Sequence, residues 1–206
     1  MAFGKRDTVD PRYGHAVRAA REGGFGAIQR LGGGRAAVYH EWTIISAHAM
    51  PDPDPKPGIQ ARFDHEAGIL AAALRRLGVD ARVGEVAGEY CPGGHSVNAG
   101  GARKLVGLGQ RLIAGGAHVG GVVVVDREDL VNGILGPVYA TLGLSFDPAA
   151  TGSVASEASG VAPEQVRDAI LEEYAARYFL EPAELDEQTV ALARRLAPEH
   201  AAPALR

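Results

Sequence analysis

Residues 103–125 read RKLVGLGQRLIAGGAHVGGVVVV. Two largely apolar runs, 103–113 and 117–125, flank Gly115-Gly116, and the second ends in an unbroken row of valines from Val122 to Val125. β-Branched side chains pack well on a pleated surface, and a glycine pair supplies the backbone freedom of a tight reversal. The stretch predicts two strands joined by a turn. Gly107, Gly109, Gly120 and Gly121 fall inside those strands, where a missing side chain marks the close approach of something else.

Working outward, the chain divides into a strand-rich first part and a helical end. The opening MAFG reads as the end of a strand, Asp10-Pro11 as a turn, and 15–22 as a short helix closed by Gly23-Gly24. Strands are predicted over 27–31, 36–47 and 79–86, and a proline-rich connection, 51–57, excludes helix and central strand because alternate residues lack an N–H. Ile59, Phe63, Ala67, Leu70, Leu74 and Leu77 recur at helical spacing over 58–77. After Asp126 a helical stripe of Leu130, Ile134, Leu135 and Val138 follows, then a small, polar stretch over 143–160, and helices over 163–178 and 184–196. The order predicts one α+β domain over 1–206, with a sheet-rich core in 1–126, mixed or antiparallel, and a mostly helical part in 127–206.

The 206 residues include 46% hydrophobic and 22% charged residues, a globular composition. A net charge of -4 gives no footprint for nucleic acid. No apolar run suits a signal peptide or a membrane span, and a single cysteine suits a reducing compartment, so a soluble, cytoplasmic protein is expected. With every apolar stripe assigned to a core, a monomer is expected.

Three features could carry chemistry. The triplet Gly32-Gly33-Gly34 lets backbone N–H groups face an anion or carbonyl, although a plain hairpin turn explains it equally well. It lacks the Gly-Lys-Ser/Thr of a nucleotide P-loop. Cys91 lies in a glycine-bearing loop over 88–101, GEYCPGGHSVNAGG, rather than on an apolar face. A thiol attacks only as thiolate, so this position requires a nearby cation or base, with His95, His40, Lys104 and Arg103 available. Lys104 leads a strand whose glycines leave room for a ligand, while a solvated lysine is the commoner case. His118, at the start of its apolar strand, reads as a core histidine. No metal-ligand spacing, Ser-His-Asp pattern or nucleophile elbow is present.

Together the segments RLGGGRAAV (30–38), KLVGLGQR (104–111) and HVGGV (118–122) resemble the successive motifs of the biotin/lipoate protein ligase and transferase superfamily, in order and spacing, over most of the first 130 residues. GEYCPG (88–93) is similar to the Cys-Pro-Gly loop of its octanoyl-[glycine cleavage H protein]:protein N-octanoyltransferase branch. The resemblance implies that Cys91 and Lys104 are catalytic. Cys91 would accept an octanoyl or lipoyl group as a thioester, and Lys104 would hold the acyl carbonyl. Arg30, Gly32, Gly33, Gly34, Val38, His40, Gly107, Gly109 and His118 would bind substrate.

The implied donor and acceptors are the glycine cleavage H protein and the lipoyl domains of 2-oxoacid dehydrogenases, with no cofactor. An apolar slot suits such a chain, since each buried methylene contributes about 0.8 kcal/mol. Val38-Tyr39-His40-Glu41 also resembles the Val-Tyr-His-Asp of ATP-dependent lipoate–protein ligases, which would require ATP and Mg, although Glu replaces Asp and one extra residue follows Arg30. A third reading is a non-catalytic module such as half of a split ligase. It is motivated by the abrupt start of the chain and by Arg35 beside the glycines.

Overall fold

The computed structural model describes residues 1–203. Its principal sheet has five strands in the order β3-β7-β6-β5-β4: β3 (Thr43–Pro51), β4 (Ala81–Val83), β5 (Val97–Ala99), β6 (Arg103–Ile113) and β7 (Gly116–Val124), every neighbouring pair antiparallel. β6 and β7 form the hairpin read from the sequence, with Gly115 at φ +77° in its turn. A small parallel pair, β1 (Ala2–Phe3) and β2 (Ile28–Gln29), stands apart. The fold is α+β.

Helix α3 (Ile59–Arg76) and helix α6 (Pro163–Ala175) cover one face of the sheet, burying Leu70, Leu74, Val166 and Ile170 against Val106, Val123 and Val125. Gly121 belongs to this face. A Cβ there would meet Leu108 Cδ2 at 2.8 Å and Leu70 Cδ1 at 3.3 Å, so helix packing rather than an acyl slot requires its glycine. A second cluster joins Phe3 to α2 (Tyr13–Glu22) and α4 (Glu128–Thr141) through Tyr13, Val17, Leu135, Val138 and Tyr139.

Several boundaries differ from expectation, each for a local reason. The strand expected over 36–47 begins at Thr43, because Thr43 and His40 close a turn. The Thr43 hydroxyl donates to the His40 carbonyl at 2.7 Å and accepts the His40 N–H at 3.2 Å. That strand then runs to Pro51, which its position at the sheet edge tolerates. The strand expected over 79–86 shortens to Ala81–Val83, since Gly84, at φ +150°, turns its N–H to the Ser96 carbonyl. Within 143–160 the structure adds a 3-10 turn, Pro148–Ala150, and α5 (Val154–Glu157). Helix α7 (Glu187–His200) has no buried residue, and Phe179, Leu185 and Leu192 are exposed. The premise for expecting a monomer, that no apolar surface is left over, is therefore incorrect.

Candidate active site

The Cys91 loop is built over a buried ion pair. The Lys104 ammonium, 1% exposed, donates to Glu89 Oε1 at 3.0 Å, to the Tyr90 carbonyl at 3.0 Å and to the Cys91 carbonyl at 2.8 Å. Glu89 is equally enclosed and accepts three more hydrogen bonds, from the Val86 and Gly93 N–H groups and the Ser96 hydroxyl. A buried charge is tolerable only when paired and fully hydrogen-bonded, and both charges here meet that condition. With three acceptors already held, Lys104 has no N–H left over for an acyl carbonyl in this arrangement.

Cys91 itself sits at φ +43°, a left-handed conformation costing a non-glycine residue roughly 1–2 kcal/mol. Side chains hold it there from both ends. Its carbonyl accepts from Lys104, and its N–H donates at 3.0 Å to the Tyr139 hydroxyl on α4. The Tyr139 hydroxyl in turn donates a hydrogen bond to the Ala36 carbonyl at 3.1 Å, and burial pushes its pKa well up, so it stays a donor. One phenol thus ties the Cys91 loop to the segment after the glycine turn.

That turn comes down on the sulfur. The Arg35 N–H donates to Cys91 Sγ at 3.1 Å, and the Arg30 guanidinium lies 3.8 Å from Sγ. Both are donors that a negatively charged sulfur accepts better than a neutral thiol does. Gly34, at φ +93°, must be glycine, because a Cβ there would lie 2.7 Å from Sγ and 2.7 Å from an Arg30 nitrogen. The bulky Arg35 side chain does not enter the site. It turns away to the Asp7 carboxylate at 3.2 Å.

Cys91, Lys104, Arg30, Gly33, Gly34, Gly107 and Gly109 all line one cavity of about 620 Å³, with His95 on another wall. Gln60 and Asp64 contact the His95 ring nitrogen at 2.8 and 3.0 Å, and the ring stacks on Phe63. The glycine turn crosses β6 where side chains are missing, Gly33 O lying 3.8 Å from where a Gly109 Cβ would stand. Beyond this crossing a second cavity of about 810 Å³ spreads over the uncovered sheet face, lined by Gly32, Tyr39, Arg111, His118, His200 and Gly120 among others, and sharing Arg30, Gly107 and Gly109 with the first.

The structure therefore brings together Cys91, Lys104, Arg30, Gly33, Gly34, Gly107 and Gly109, with Gly32 just beyond the crossing. Three other residues lie elsewhere. Val38 is buried in the core with Phe3 and Tyr13 and lines neither cavity. His40 is held in the Thr43 turn, its Nδ1 accepting the Trp42 N–H at 3.2 Å, and also lines neither. His118 is an exposed residue of the second cavity, not a core histidine. Sequence reasoning missed Asp7, Glu89 and Tyr139. The one available signal was Glu89, the one acid of the 88–101 loop, immediately before Tyr90-Cys91. Among the described residues, no group of three His, Cys, Asp or Glu side chains is gathered as for a metal ion, and no helix is long and apolar enough to cross a membrane.

Two curated relatives, each named octanoyl-[GcvH]:protein N-octanoyltransferase, are similar in sequence. The one from Geobacillus kaustophilus is 29% identical over 119 residues, 58% of this chain and 42% of its own length. The one from Bacillus velezensis is 26% identical over 164 residues, 80% of this chain and 54% of its own. The chain thus spans about half the length of these relatives.

Among solved structures, one from T. acidophilum, described as a lipoate protein ligase with bound lipoic acid, aligns with a TM-score of 0.75 at 17% identity, over 96% of this chain and 77% of that one. A lipoate-protein ligase A bound with ATP aligns at 0.70 and 18% identity, over 96% and 77%. At such identities the likeness is one of fold. The sequence match to the Lipoyl protein ligase A/B catalytic domain extends over residues 2–175, so the chain belongs to that family.

Proposed function

We propose that the protein is a cysteine-dependent acyltransferase that moves an octanoyl or lipoyl group between lysines of lipoyl-bearing proteins. The observation that carries this reading is the placement of Cys91 Sγ, in a cavity with glycine-lined walls, under the Arg35 N–H and beside the Arg30 guanidinium. The names of the two curated relatives support it.

In the first half-reaction the sulfur, as thiolate, attacks the carbonyl of an acyl-lysine amide on the donor, the glycine cleavage H protein. The C–N bond breaks, the donor amine leaves with a proton, and a thioester forms. In the second, a lysine amine of a 2-oxoacid dehydrogenase lipoyl domain attacks the thioester. The C–S bond breaks, the sulfur leaves with the electron pair, and the nitrogen gives up a proton. Dividing the transfer replaces one difficult displacement by two easier ones.

The glycines at 32, 33, 34, 107 and 109 wall the acyl path, and Arg30 faces the reacting end. Lys104 acts first as the anchor of the nucleophile loop, and gives an N–H to an acyl carbonyl only by releasing a backbone carbonyl. His118 meets whatever part of a substrate reaches the second cavity. The exchange of one amide for another is nearly balanced in energy, so it requires no nucleotide. ATP and Mg belong to the ligase reading. A thiol that must stay free suits a reducing compartment, which supports a cytoplasmic location.

The test is intact-mass analysis after incubation with octanoylated H protein. An octanoyl unit appearing on Cys91, and absent in Cys91→Ser, is the expected result. Acyl transfer that requires ATP and survives Cys91→Ser would replace this reading with the ligase.

A further inference from the structure

The nearest donor to the sulfur is a main-chain N–H, so its aim depends on whatever fixes the Arg35 peptide. Arg30 holds one side, donating to the Arg35 carbonyl at 2.6 Å. On the other side the Arg35 guanidinium donates to Asp7 Oδ1 at 3.2 Å and to the Arg6 carbonyl at 3.3 Å. Asp7 is 0% exposed, and its second oxygen accepts the Gly4 N–H at 3.0 Å. Gly4 lies directly on the glycine turn, for a Cβ on it would come within 2.0 Å of the Gly34 carbonyl oxygen. One carboxylate therefore joins the first turn of the chain to the residue that covers the sulfur. Capping the short helix α1 (Lys5–Thr8) does not account for this burial, because an exposed acid caps a helix equally well.

We propose that Asp7 is a positioning residue for the Cys91 sulfur, acting through the Arg35 guanidinium to keep the Arg35 N–H on Sγ. The inference deepens the proposed reaction and rests on that reading for its purpose, but it is tested on the sulfur alone. Asp7 touches no substrate path of its own: its two oxygens are taken by Gly4 and Arg35. Arg30, Lys104, Glu89, Tyr90 and Tyr139 also face the Cys91 loop and are kept in every variant below.

The experiment measures the rate of iodoacetamide alkylation of Cys91 against pH in the full chain, as wild type, Asp7→Asn, Arg35→Met and the double variant, with a urea unfolding curve for each. Asp7→Asn keeps an oxygen for the Gly4 N–H while removing the charge that holds Arg35. It is expected to slow alkylation near neutral pH about tenfold and to raise the midpoint of the pH profile by about one unit. Arg35→Met should do the same, and the double variant no more than either, as for two members of one chain of contacts. Folded single variants with unmoved profiles would overturn the proposal. So would rate losses that merely track the urea midpoints, or effects that add in the double variant. Acyl transfer surviving in Cys91→Ser would instead refute the proposed reaction and leave this result standing.

Discussion

Replacing Tyr139 by Phe removes one oxygen and, with it, both contacts of the phenol. The Cys91 N–H loses its acceptor at 3.0 Å and the Ala36 carbonyl its donor at 3.1 Å. Tyr139 is only 3% exposed, so the Ala36 carbonyl is left unpaired, at a cost of about 1–3 kcal/mol. Cys91 is half-buried and recovers part of its loss from water. Together these predict a stability decrease of roughly 2–4 kcal/mol, read from urea unfolding.

The kinetic effect comes from the backbone of Cys91. Its φ of +43° is held by Tyr139 at the N–H and Lys104 at the carbonyl, and one of the two clamps is gone. Release of about 1–2 kcal/mol of left-handed strain favours a relaxed loop, and so lowers the population with sulfur under the Arg35 N–H by roughly 5- to 30-fold. Single-turnover acylation of Cys91 should fall by that factor. A Tyr139→Phe protein of wild-type stability that takes up an octanoyl group at the wild-type rate would refute this account of the clamp.

Four further substitutions test other parts of the site. Lys104→Met leaves the Glu89 carboxylate buried without its cation and should destabilise the fold by about 3–5 kcal/mol in urea, with Glu89→Gln in the same chain restoring part of the loss. Gly109→Val, whose Cβ would meet only Gly33 O at 3.8 Å, should fold normally yet lose octanoyl uptake far more than acetyl uptake in mass-spectrometric acylation, since about 0.8 kcal/mol is forfeited for each methylene excluded.

Burial lowers the His40 pKa from 6.5, so the folded protein favours neutral imidazole. Stability from this group is full above 6.5 and is lost as pH falls toward the folded value, and the urea midpoint of His40→Gln should fall less than that of wild type over this range. His95→Gln should slow thioester formation from an amide donor and amide formation from the thioester alike, by roughly 100-fold, while leaving iodoacetamide alkylation of Cys91 unchanged.

The parts of this molecule legible in the sequence are those that local chemistry fixes. The valine run after Gly115-Gly116 pairs back on its neighbour, and the α3 stripe buries Ala67, Leu70 and Leu74 against the sheet while its first members, Ile59 and Phe63, line the cavity. The glycine triplet, Cys91 and Lys104 were visible because each is an unusual residue for its setting. Their supports were not. Asp7 reaches Arg35 across 28 residues, Glu89 reaches Lys104 across 15, and Tyr139 reaches Cys91 across 48. In its own neighbourhood, Lys-Arg-Asp-Thr, Asp7 reads as an ordinary surface charge, and Tyr139 as one more apolar position of a helical stripe. Val38 and His40 show the converse. Sequence nearness to the glycine turn suggested a place in the site, while Val38 packs into the core and the Thr43 turn holds His40 away from the cavity.

In the proposed reaction the two halves exchange a single proton, since the departing donor amine takes up one and the acceptor amine gives one back. The sulfur is not suited to carry it. Its neighbours, the Arg35 N–H and the Arg30 guanidinium, are both donors, so neither can take a proton from it or relay one to an amine. Nor is Lys104 suited, with its three protons committed to Glu89 and two carbonyls beneath the loop. The imidazole on the cavity wall is that of His95, which Asp64 at 3.0 Å and stacking on Phe63 hold in place. A group that accepts in one half and donates in the other must sit where both amines pass, and both must reach the same acyl carbon at Sγ. The proposed exchange of one amide for another therefore asks one residue to serve as general acid in one half and general base in the other, and His95→Gln tests whether His95 is that residue.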